Sequence, residues 1–147
     1  MAAIFVVSAN AQVSKPEGVV NELRKSHSAV KWNSKSAIVA DVTCDGNLDT
    51  VILGSEKNNV IVGIVSGAHP NKTKVFSFPI RPSTQDVFCA FPTRIEIAPL
   101  DCKSETGALP GCKPVKACQA FSVSDNKCDP FNFYWDSSTK SLVWWRN

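Results

Sequence analysis

The chain has 147 residues, 44% of them hydrophobic and 20% charged, which is enough apolar material for one domain with its own core and too much for a disordered chain. Its net charge of +3 is thinly spread, with Arg24-Lys25 the densest basic pair, so no concentrated basic stripe points to nucleic acid. No stretch reaches the ~20 apolar residues of a membrane-spanning helix, so no membrane insertion is expected.

Residues 2–7 are apolar and lead into Ser8-Ala9-Asn10-Ala11, where Ala9-x-Ala11 fits a signal-peptidase site and would leave Gln12 as the first mature residue. Residues 1–11 are therefore read as the remnant of a signal peptide, although the basic start is missing and Ile4-Phe5-Val6-Val7 would equally suit a short strand. Residues 12–147 then form one domain. Ser14-x-x-Glu17 is a capping-box pattern, with Pro16 in the first helical turn and Val19, Val20 and Leu23 at helical spacing, which predicts a helix over about 15–27. His27 belongs to its last turn as a cap.

From residue 37 the texture is that of strands: 37–40, 50–53, 60–65, 74–78 and, briefly, 94–97, with turn-rich connectors that include the surface turn Asn71-Lys72-Thr73. Residues 99–130 hold four cysteines and several prolines with little periodicity, and read as a loop-rich segment held by cross-links. Residues 131–135 and 141–145 flank a polar turn and predict a closing hairpin with aromatic cross-strand partners. The expected fold class is mainly β: a single disulfide-stapled antiparallel domain with one short N-terminal helix.

Cys44, Cys89, Cys102, Cys112, Cys118 and Cys128 are even in number, and none has the C-x-x-C spacing of a zinc ribbon or redox motif. Three disulfides are expected, which implies a secreted or periplasmic location. Fifteen pairings exist for six cysteines. A nested arrangement joins Cys102 to Cys128, Cys112 to Cys118 and Cys44 to Cys89; sequential pairing of Cys102 with Cys112 and Cys118 with Cys128 is its rival.

The most specific stretch is Asp41-Val42-Thr43-Cys44-Asp45-Gly46-Asn47-Leu48-Asp49, with oxygen-bearing side chains at loop positions 1, 3, 5 and 9 and Gly46 at position 6. Calcium takes about six to eight oxygen ligands, and a tight loop with a glycine at its reversal can supply them. An EF-hand is a poor match, because Ile52 stands at position 12 where a bidentate Glu belongs. Without a metal, the same residues would form ordinary Asx turns. Followed by Thr50-Val51-Ile52-Leu53-Gly54, the stretch resembles the FG-GAP or VCBS type of repeat, known from integrin α-chain propellers and bacterial exported proteins. The likeness covers about residues 37–66, one blade-like unit, and does not imply a propeller, which needs several blades. It implies Asp41, Thr43, Asp45 and Asp49 as side-chain ligands and Asn47 as a carbonyl donor. Thr43 replaces the family's Asp or Asn, which implies weak calcium binding, in the millimolar range of extracellular modules.

Catalytic patterns are sparse. No G-x-S-x-G elbow occurs, six paired cysteines leave no thiolate, and Glu96, Asp101 and Glu105 read as an acid–base pair only if the fold brings them together. Trp135, Trp144 and Trp145 are candidate contacts for an extracellular protein or a carbohydrate, against the plainer reading that they, with Trp32 and Tyr134, build the core. Strand alternation points Trp144 and Trp145 to opposite faces, one to the core and the other partly exposed. The first reading is an exported, non-enzymatic binding or interaction domain with a structural calcium loop. A small secreted hydrolase, or a subunit of one, and a disulfide-stapled inhibitor or effector are the alternatives.

Overall fold

The computed structural model describes residues 15–82, 84 and 86–147, and within them the chain is mainly β, antiparallel and stapled by three disulfides, with one short helix. That is the expected fold class. Helix α1 (Pro16–Ser26) has Pro16 in its first turn and closes with the His27 N–H donating to Leu23 O at 2.9 Å. Lys15 precedes it and makes no side-chain cap; Ser14 of the expected capping box, and the expected leader with its cleavage site, lie outside the described residues.

Strands β1 (Lys31–Ala40), β2 (Asp49–Glu56), β3 (Asn59–Val65) and β4 (Thr73–Pro79) form a four-stranded meander in chain order. Strand β5 (Arg94–Pro99) begins a second sheet. A small hairpin of β6 (Lys103–Ser104) and β7 (Gly107–Ala108) follows, before β8 (Gln119–Ser124), β9 (Phe131–Asp136) and β10 (Ser141–Trp145) complete that sheet in the order β10-β9-β8-β5. The segment expected to be loop-rich thus contributes an internal strand. Phe121 and Val123 of β8 pair with Phe133 and Phe131 of β9 and turn the same way into the core.

Three layers result. The inner faces of the two sheets meet through Val51, Val60, Val62 and Phe78 on one side and Phe121, Phe131, Phe133 and Leu142 on the other. The helix lays Val19, Val20 and Leu23 on the outer face of the first sheet, against Ile52 and Val65. Strands β2 and β3 are therefore covered on both faces, which is why they read as nearly unbroken apolar runs rather than as an alternation. Under the helix, the Trp32 ring approaches the backbone of β3 closely: a Cβ at Gly63 would sit 2.7 Å from Trp32 Cζ3. Strand β1 begins earlier than its apolar part suggests. Its register shifts between Asn33 and Ile38, and the Ser36 hydroxyl oxygen accepts the Leu53 N–H at 2.8 Å across the irregularity.

All six cysteines are paired, as Cys44–Cys118, Cys89–Cys128 and Cys102–Cys112. Neither expected pattern is observed whole; Cys102–Cys112, one bridge of the sequential scheme, is present. The nested scheme needs one antiparallel register running from residue 102 to 128. Instead β8 leaves that segment to pair with β5 and β9, and its start is drawn to the loop after β1, where the Gln119 N–H donates to Asp41 O at 2.9 Å. Cys118 then lies beside Cys44. At the other end of β8, Asp125 accepts N–H groups from Cys89, Ala90, Lys127 and Cys128, locking together the β4–β5 and β8–β9 connections that the Cys89–Cys128 bridge joins. Burial pushes the Asp125 carboxyl up, but these four donors outweigh it and hold the group below the usual carboxylate value.

The closing hairpin is present, with Leu142 opposite Trp135 and Trp144 opposite Phe133. Neither terminal tryptophan is buried. Trp144 packs edge-on against Phe78 and Phe131, yet stays 45% exposed, and Trp145 is half-buried. The expectation of one core ring fails because β10 is an edge strand, so its inward position lies at the rim of the sandwich.

Candidate cleft between the sheets

The two sheets separate at the end where β1 enters the Asp-rich loop, leaving a cleft of about 480 Å³, within the range of small-ligand sites. Ile64 of β3, with Trp135 and Leu142 of the closing hairpin, supplies apolar walls from both sheets. Lys74 enters through strand parity: it shares the inward side of β4 with Phe76 and Phe78, and its Nζ stands 5.3 Å from the Phe76 ring. Lys72, from the connection before β4, and Lys140, from the β9–β10 turn, join it. Neither ion pair found among the described residues, Lys25–Glu22 or Arg94–Glu96, uses these three lysines.

The Asp-rich loop forms one wall through Thr43 and Asp45. Its carboxylates are turned largely onto backbone N–H groups. Asp41 accepts from Asp45 and Gly46, at 3.2 and 2.9 Å. Asp45 Oδ1 accepts from the Asn47 N–H at 2.8 Å and from Asn47 Nδ2 at 3.2 Å. Gly46 has φ +83°, the left-handed conformation its position in the motif leads one to expect.

Asp49 is fully buried. Its Oδ2 accepts from Val42 and Thr43 at 3.0 and 2.9 Å, and its Oδ1 from Gly67 at 3.0 Å, so one carboxylate ties the loop to the turn after β3. Burial raises its pKa despite these donors. The Thr43 hydroxyl lies near enough to favour the charged form of Asp49, yet it makes no well-aligned hydrogen bond, and its oxygen is buried without a partner. No three His, Cys, Asp or Glu side chains gather in metal-binding geometry among the described residues.

The five candidate loop residues are thus brought together, and two of them, Thr43 and Asp45, face the cleft. Of the aromatic candidates, Trp135 lines it, whereas Trp144 and Trp145 do not. Glu96 pairs with Arg94 at 3.0 Å, and Asp101 accepts the Lys103 N–H at 3.2 Å. Sequence reasoning missed the three lysines. The one available signal was Lys74 standing two and four residues before Phe76 and Phe78.

Comparison with known family models, characterised proteins and solved structures returns no match to this chain.

Proposed function

We propose that this chain is an exported, non-enzymatic binding domain whose ligand site is the cleft between the sheets, and that the ligand is anionic. The observation that carries the reading is a concave site of about 480 Å³ with apolar walls and three lysines free of carboxylate partners among the described residues. Asp45 is the one acidic side chain lining it, so the local field is positive. Three disulfides suit an oxidising compartment and support the export part of the reading. A titration with inorganic phosphate, followed through backbone amide shifts, tests the site. Shifts should cluster at Thr43, Thr73, Lys74 and Ser141. Shifts scattered over the surface lysines would overturn the assignment.

We propose also that the loop is of the FG-GAP kind and takes calcium weakly. The buried, unpartnered Thr43 hydroxyl favours this, because it stands at loop position 3, the second side-chain ligand of the motif. Asp41, Asp45 and the Asn47 carbonyl would complete the protein's share of oxygens, with Asp49 holding the loop in place. Calcium at several millimolar should raise the melting temperature of the wild type and not that of Asp45→Ala. Equal melting of the two with and without calcium would reduce the loop to a hydrogen-bonded turn.

A further inference from the structure

We infer that the cleft takes an acidic saccharide, with the acid group held by Lys72 and Lys74 and a sugar ring laid against Trp135. The inference rests on the anion-binding reading above and adds the chemistry of the ligand's body.

The walls divide the work. Lys74 stands on the inward side of β4, and Lys72 precedes it by two residues, so two ammonium groups can converge on one carboxylate or sulfate. Trp135, only partly buried, with the small part of Ile64 and Leu142 that reaches the cleft, offers the apolar surface that the C–H face of a pyranose ring needs. A simple acyl anion would be satisfied by these two features alone.

The remaining lining favours a polyhydroxylated body. Thr73 and Ser141 line the cleft with hydroxyl groups that both donate and accept, and the exposed Asp45 carboxylate accepts only. Such a mixed set suits sugar hydroxyls, which present both roles at once. Lys140, on the opposite lip in the β9–β10 turn, extends the positive potential across the opening, as a second acidic residue along an oligosaccharide would require.

Calorimetry on the disulfide-bonded protein distinguishes the cases, with four probes: trigalacturonate, a sulfated heparin tetrasaccharide, neutral galactotriose, and octanoate. At least one acidic saccharide should bind about tenfold more tightly than galactotriose and octanoate. Lys74→Gln should weaken it about tenfold, the scale of one charge-assisted hydrogen bond. Trp135→Phe, which keeps an aromatic ring in the core, should weaken it severalfold while the melting curve stays cooperative. Octanoate binding as tightly as both saccharides would overturn the inference and leave an anion-binding cleft. Phosphate-induced shifts at the cleft with no preference for either acidic saccharide would overturn it likewise. Absence of any anion effect at the cleft would overturn both readings.

Discussion

Asp49 holds three backbone N–H groups on one carboxylate with no exposure to solvent, and two of the three come from the loop it closes. An amide in its place has one acceptor oxygen, and its NH₂ would face an N–H. Asp49→Asn should therefore destabilise the fold by about 1–3 kcal/mol, the usual cost of leaving a buried donor unpaired, read from the denaturant midpoint. Asp136, also buried, does similar work where β9 enters the β9–β10 turn. The Ser138 hydroxyl, with N–H groups of Ser138 and Thr139, lowers its pKa from 3.8 to about 2. A depressed carboxyl favours the charged folded state, so its contribution is present above pH 3.8 and is lost as the pH falls through about 2. Between those limits wild-type stability should fall more steeply than that of Asp136→Asn. Parallel curves for the two proteins would remove Asp136 from the acid sensitivity.

At the scale of elements, the glycine on β3 matters as much as its apolar neighbours. Gly63→Ala would place a methyl 2.7 Å from the Trp32 ring and 3.0 Å from Leu23 Cδ1, between the helix and the sheet. Overpacking of this kind costs about 1–3 kcal/mol, and a thermal melt of the variant should show it. Strands β2, β3 and β4 were legible because burial on one or both faces writes itself as apolar runs or alternation. The polar half of β1 was not, since Asn33-Ser34-Lys35-Ser36 serves an irregular stretch that a side-chain hydroxyl repairs. Strand β8 was hidden for another reason. Only Phe121 and Val123 of its residues turn into the core, and cysteines and prolines around them mask a two-residue signal. The Asp-rich loop could be read as one contiguous motif. The cleft it borders could not, because Lys74, Trp135 and Lys140 meet only after two sheets have packed.

For the whole molecule, the bridge between Cys44 and Cys118 is the covalent link from the Asp-rich loop of the first sheet to the second. It closes 74 residues of sequence separation, so removing it as the double variant Cys44→Ser, Cys118→Ser should cost about 2–4 kcal/mol and weaken ligand binding by loosening one wall of the cleft. A stability loss with unchanged affinity would confine the bridge to the fold. The central claim is that position within the cleft, and not net charge, confers affinity for an acidic ligand. The most direct measurement compares two single-charge deletions, Lys74→Gln in the cleft and Lys113→Gln on the exposed loop after Cys112, by calorimetry with the acidic saccharide that the wild type binds. Affinity should fall about tenfold in the first and remain that of the wild type in the second; equal losses in both would contradict the assignment.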